Sequence, residues 1–242
     1  MIFRQAFFCL LAALFLSGCM TAPQINPLAV WSPSGNFDDR KPRLIILHAT
    51  EMDSTESALR VLKSQNPSGR VSAHYLISED GRIFQLVEDT KRAWHAGAGR
   101  WQDMNDINSV SIGIELDNDG IEPFTNSQIA ALIILLTDLS QRYGIPPKAV
   151  IGHADMAPTR KKDPGVLFPW RHLAEAGFGQ WYAEILVEPP ADFNAVLALQ
   201  LIGYDTRNLP AAVTAYRRHF RGVEQGGLDS EDRKILYDLT KP

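Results

Sequence analysis

The stretch I-G-H-A-D-M-A-P-T-R-K-K-D-P-G, residues 151–165, begins as a strand and ends as a constrained loop. Val150, Ile151 and Gly152 form a short apolar run with His153 at its end. A Pro-containing loop and a basic cluster follow, and Asp163 stands before Pro164-Gly165. A second imidazole, His48, closes another strand-like apolar run, residues 44–47. Taken singly, a buried His or an Asp before Pro is ordinary structure. Jointly, two imidazoles at strand ends and a carboxylate on a constrained loop lie where sheet folds place their sites. Such a set can hold a cation and leave the fourth position of a tetrahedral zinc site open, as a catalytic site requires.

Residues 111–116 alternate strictly. Ile112, Ile114 and Leu116 share one face; Ser111, Gly113 and Glu115 share the other, which is small, polar and ends in a carboxylate, as a cleft-facing strand would be. Residues 71–77 and 82–87 form a hairpin around Asp80-Gly81. Residues 53–64 read as a helix with Ala58, Leu59 and Leu62 as its apolar stripe. Residues 125–143 make the clearest helix: Thr125 and Gln128 form a capping box, and Gly144 with Pro146 stops it. Strands alternating with helices, plus a hairpin, predict an α/β fold, a mixed central sheet flanked by helices. After the break at Glu188-Pro189-Pro190, residues 192–201, 210–220 and 230–239 read as three helices. They predict a small C-terminal helical domain over 191–242, packed against the first. Residues 94–108 form a long aperiodic segment of the kind that is functional in compact domains.

The chain has 242 residues, a net charge of -4 and 45% hydrophobic residues, and no charge block that would suggest a nucleic-acid partner. Arg4 precedes an apolar run, residues 6–16, that is too short to span a bilayer and reads as a signal segment. It ends in Leu-Ser-Gly-Cys19, which resembles a bacterial lipobox. On that basis residues 1–18 are a signal peptide, Cys19 carries lipid, and residues 19–40, rich in Pro, Ser and Asn, are a tether. The lipid would anchor the protein to a membrane, and Met20-Thr21 after the Cys resembles an outer-membrane address facing the periplasm. Cys9 leaves with the signal, so the mature chain has no thiol for catalysis or for a metal. Nothing demands an obligate oligomer, and a monomer is expected.

Glu115 is by default a solvated strand residue, but Gly113 beside it leaves room for a ligand, and a carboxylate there could shuttle a proton. A lysine of the 160–162 cluster could face an oxyanion; spacing does not choose between Lys161 and Lys162. Trp94 is either a core residue beside a turn or a wall for a sugar or peptide, and His74 reads as a structural residue. His172 and His219 read as structural or surface residues. No G-x-S-x-G supports a serine nucleophile.

Residues 43–173 resemble the zinc-dependent N-acetylmuramoyl-L-alanine amidases, the group that includes phage amidases and peptidoglycan recognition proteins. The match is carried by I-I-L-H-A-T around His48, S-A-H-Y-L-I around His74, W-H-A-G at 94–97, S-I-G-I-E-L around Glu115, G-H-A-D at 152–155 and R-K-K-D-P-G ending at Gly165, with F-P-W at 168–170. The resemblance implies one zinc ion held by His48, His153 and Asp163 in a catalytic domain over 41–187. It implies Glu115 as the acid/base residue and Lys161, two positions before the Asp ligand, at the oxyanion. Trp94, His95 and Ala96 take substrate-wall positions, and Asn108 falls where the family has an Asn before its S-I-G-I-E run. The implied reaction is hydrolysis of the amide between N-acetylmuramic acid and L-alanine in peptidoglycan or muropeptides. The C-terminal segment, through L-Q-L-I-G-Y at 199–204 and residues 216–220, resembles a peptidoglycan-binding domain.

Overall fold

The computed structural model describes residues 25–39, 42–64 and 69–241. The signal segment and Cys19 lie outside them. In chain order the elements are β1 (Val30–Trp31), β2 (Phe37–Asp39), β3 (Leu44–Ala49), α1 (Thr55–Lys63), β4 (Tyr75–Ile77), β5 (Ile83–Gln85), β6 (Lys91–Ala93), α2 (Ile107–Val110), β7 (Ser111–Leu116), α3 (Asn126–Tyr143), β8 (Val150–Gly152), α4 (His153–Met156), α5 (Trp170–Glu175), α6 (Ala195–Ile202), α7 (Leu209–Arg221) and α8 (Ser230–Leu239).

The main sheet runs β1-β5-β4-β7-β3-β8. It is mixed: β4 and β5 are the antiparallel hairpin, and every other neighbouring pair is parallel. Strand β3 lies between β7 and β8, with His48 opposite Glu115 in the β3–β7 register and Leu47 opposite Gly152 in the β3–β8 register. The end of each of these strands therefore reaches one edge, where His48, Glu115 and His153 stand together.

The alternation of β3 and β7 sorts the two faces. Ile45, Leu47, Ile112, Ile114 and Leu116 point to the layer under α3, where they meet Ile129, Leu132, Leu135, Leu136 and Leu139. Each such side chain, fully buried, contributes roughly 1.5–3 kcal/mol of hydrophobic free energy. Thr125 accepts the Gln128 backbone N–H at 3.1 Å, and Gly144 ends the helix at φ 65. The expected capping box is half made: the Gln128 side chain donates instead to the carbonyls of Ile77 and Asp117. The amide sits at the joint of two strand ends, where the Ile77 carbonyl also accepts the Asp117 backbone N–H at 2.9 Å.

The opposite face is divided. Leu76 packs with α1 through Ala58 and Leu62. Leu44, Ile46 and Ile151 pack with α6, α7 and α8 through Leu199, Tyr216, Ile235 and Leu236. The C-terminal helices share that apolar cluster with the sheet. Between the two patches runs the strip of Ser111, Gly113 and Glu115, with no large side chain of its own.

The tether expectation fails over 25–39. Val30 and Trp31 pair with Phe84 and Gln85, and β2 pairs with β6. Asn26 is fully buried and its amide donates to Asp138 at 2.7 Å, while Ser34 and Asn36 donate to the carbonyls of Leu62 and Ser64. Polar linker-like composition here supplies specific side-chain partners rather than chain flexibility.

Candidate active site

The edge where β3, β7 and β8 end carries a cluster of nitrogen and oxygen donors. His48 ends the apolar part of β3, and His153 opens α4 directly after β8. Asp163 returns on the following loop, where the Asp163 carbonyl accepts the Ala154 N–H at 2.9 Å. The Nδ1 atoms of His48 and His153 are 2.9 Å apart, and Asp163 Oδ2 lies 3.1 Å from one and 3.0 Å from the other. All three residues are buried. Among the described residues this is the one group of His, Cys, Asp or Glu side chains arranged to hold a metal ion.

The donor chemistry fits a cation. His153 Nε2 lies 2.9 Å from the Ala96 carbonyl, which can only accept, so Nε2 carries the proton and Nδ1 presents a lone pair. Burial first, and then the neighbouring His153, lowers the His48 pKa to about 4, so this imidazole is neutral at physiological pH. Burial would push the Asp163 carboxyl up, but hydrogen bonding to His153 and His48 holds it well below the ordinary carboxylate range. Neutral imidazole and an anionic carboxylate are the protonation states that ligate a divalent ion.

Glu115 is half-buried on the strip beside this triangle. Burial first and the Asp163 charge second push its carboxyl up to about 8, against the opposing charge of Lys161. A dication bound nearby would draw that value down. The same interaction marks Lys161 as the lysine electrostatically coupled to the site, since its charge bears on both Glu115 and His48. Lys161 is half-buried, whereas Lys162 is exposed. Geometry thus separates the two lysines that spacing leaves equivalent.

The residues expected to form a substrate wall divide. Trp94 keeps part of its surface open, with the Arg92 guanidinium 4.3 Å from its ring centre. His95, Ala96 and Asn108 are buried. The His95 ring faces His48 rather than the cleft, at 3.0 Å between Nδ1 and Nε2. Asn108 Oδ1 accepts the backbone N–H groups of His95 and Ala96 at 3.1 and 2.9 Å. Of the four, only Trp94 keeps part of its surface exposed. His74 is satisfied on both nitrogens, by the Gly113 N–H and the Lys91 carbonyl. Arg160 donates to the carbonyls of Ala96 and Ala98 at 2.7 and 2.6 Å and braces the same segment.

One network escapes the sequence. Asp155, two residues after His153, accepts from the Gly152 N–H at 2.8 Å and from the Tyr204 hydroxyl at 2.7 Å, and pairs with His219 at 2.7 Å. The His219 ring stacks on Trp170 at 3.8 Å. Tyr204 follows α6 and His219 sits on α7, so the C-terminal helices grip the turn that presents His153. His172, in contrast, is exposed.

Residues 38–166 match the family model described as N-acetylmuramoyl-L-alanine amidase. The chain is 35% identical to N-acetylmuramoyl-L-alanine amidase AmiD of Escherichia coli K12, across 98% of each chain. The solved complex of that protein with anhydro-N-acetylmuramic acid-L-Ala-D-γ-Glu-L-Lys superposes with a TM-score of 0.70, at 34% identity, over 82% of this chain and 88% of that one. AmpDh3 of Pseudomonas aeruginosa superposes with a TM-score of 0.72, at 34% identity, over 83% of this chain and 92% of its own.

Proposed function

We propose, since the chain belongs to the N-acetylmuramoyl-L-alanine amidase family, that His48, His153 and Asp163 hold one zinc ion for hydrolysis of the bond between N-acetylmuramic acid and L-alanine. The observation that carries this is the triangle of donors at 2.9–3.1 Å, set beside a carboxyl whose pKa is raised to about 8. Zinc in such a set supplies Lewis-acid polarisation of oxygen. Glu115 takes the proton of the attacking water and returns it to the departing alanine nitrogen. Burial raises that carboxyl's hold on a proton and a bound dication would lower it, and a group balanced between the two can accept and release a proton. Lys161 stabilises the oxyanion of the tetrahedral intermediate. Trp94 offers an apolar face to the sugar or to the stem peptide. The substrates are peptidoglycan and muropeptides, including the anhydromuramyl form held by the AmiD complex.

Lipidation at Cys19 would place the enzyme at the outer membrane, facing the periplasm, and the C-terminal helices would keep it near the wall. The lipobox-like sequence supports the anchor, and the resemblance of residues 199–204 and 216–220 to a peptidoglycan-binding domain supports the second role.

The test is mass spectrometry of a muropeptide digest, with and without a zinc chelator. Free stem peptide beginning at L-alanine, formed only in the presence of metal, is the expected product. A cut within the stem peptide, or turnover that survives complete metal removal, would overturn the assignment.

A further inference from the structure

We propose that residues 95–96, backed by Ser111, form a positioning clamp that sets which nitrogen of each ligand imidazole faces the metal. His95 in this scheme is a positioning residue acting through His48. The clamp presupposes the metal site proposed above.

The assignment follows from counting protons. Ser111 Oγ lies 2.6 Å from the Ile107 carbonyl, which can only accept, so the single hydroxyl proton is spent there. Toward His95 Nε2, 3.2 Å away, Ser111 Oγ is therefore an acceptor, and Nε2 of His95 carries the proton. A neutral imidazole has one N–H, which leaves His95 Nδ1 as an acceptor. It stands 3.0 Å from His48 Nε2, so His48 donates there. Nδ1 of His48 is left with its lone pair directed at His153 Nδ1 and Asp163 Oδ2. The backbone of the next residue does the same for the second ligand, because the Ala96 carbonyl holds the proton of His153 on Nε2. Two consecutive residues thus orient both imidazoles, one by its ring and one by its carbonyl.

The clamp is built rigidly. His95 is 8% exposed and Ser111 is fully buried. Asn108 Oδ1 fixes both backbone N–H groups of the pair. A Cβ at position 113 would lie 2.3 Å from His95 Cγ, so only glycine on β7 admits the ring. The His48 and His95 rings meet edge-on, at 87°. Partners of this kind fix the tautomer of a metal-bound imidazole, and their loss typically weakens metal affinity about 10–100-fold.

The experiment compares the full chain with His95→Leu, His95→Asn and Ser111→Ala. Asn keeps an acceptor near the Nδ1 position, Leu removes it, and Ala frees the His95 proton to move. Zinc affinity is measured by competition with a chromophoric chelator. The tautomer of His48 in the metal-free proteins is read from long-range proton–nitrogen NMR correlations. Thermal melting followed by circular dichroism checks that each variant is folded.

The wild type should bind one equivalent of zinc and show His48 protonated at Nε2. His95→Leu should bind about 10–100-fold more weakly with a mixed His48 tautomer. His95→Asn should stay within about threefold of wild type, and Ser111→Ala should fall between. Equal affinity in His95→Leu and wild type, or equal loss in the Asn and Leu variants, would overturn the clamp. Should His95→Leu fail to fold, an unchanged affinity and His48 tautomer in Ser111→Ala would overturn it. A wild type that takes up no tight zinc would instead overturn the metal site itself.

Discussion

Glu115 shows how a side chain's surroundings give it a task. Burial first and the Asp163 charge second raise its carboxyl pKa to about 8 from 4.5. Turnover should fall at least about 100-fold in Glu115→Gln, a typical loss for a removed general base. Zinc measured by atomic absorption should stay at one equivalent, and simultaneous loss of the metal would show that Glu115 is a structural residue. The same group affects stability. The unfolded chain loses this proton near 4.5, whereas the folded, metal-free protein keeps it to about 8. Between those values the folded state binds more protons, so stability falls as pH rises through that window. Melting temperatures of the metal-free protein should decline less steeply between pH 5 and about 8 in Glu115→Gln than in wild type. The candidate donors are legible in the sequence because His48 and His153 both close apolar runs and Asp163 stands on a constrained loop. The inward turn of His95 was not visible. W-H-A-G carries no periodicity that says which way a ring points, and only the empty face of Gly113 behind it decides.

At the scale of elements, β7 does two jobs with one alternation. Its isoleucines build the layer under α3, and its other face is kept small for a ring, a hydroxyl and a carboxylate. Gly113→Ala places a Cβ 2.3 Å from His95 Cγ and cannot be relieved by a flexible neighbour. It should cost about 1–3 kcal/mol of stability, as overpacking does, and weaken zinc binding along with it. Chemical denaturation and chelator competition on the same sample check both. Most elements were legible from periodicity: α3, β7 and α8 follow the apolar pattern closely. The Gln128 side chain departs from the capping box because that is a local rule, and the carbonyls that take its amide come from Ile77 and Asp117, outside the helix. Residues 25–39 depart from a tether for a related reason. Short strands such as Val30–Trp31 owe their form to the partner strand and not to their own composition.

For the whole molecule, the C-terminal helices are part of the machinery that shapes the site. Leu44, Ile46, Ile151 and Met156 share one apolar cluster with α6, α7 and α8, and Tyr204 and His219 hold Asp155 two positions from His153. Tyr204→Phe leaves a buried Asp155 oxygen without its hydroxyl and should cost about 1–3 kcal/mol in a denaturation experiment. Deletion of residues 191–242 should lower the melting temperature and expose dye-binding surface, and an unchanged melt would show the two parts to be independent. The pinned N-terminal segment also sets a distance. Asn26 is bolted to α3 through Asp138, only seven positions beyond Cys19. A fully extended chain advances about 3.3–3.6 Å per residue, so a lipid on Cys19 could stand no more than roughly 25 Å from the folded body. Were Cys19 lipidated, so short a leash would keep the enzyme from the depth of the periplasm. It would work on the layer of wall nearest the bilayer, and on soluble fragments that diffuse to it.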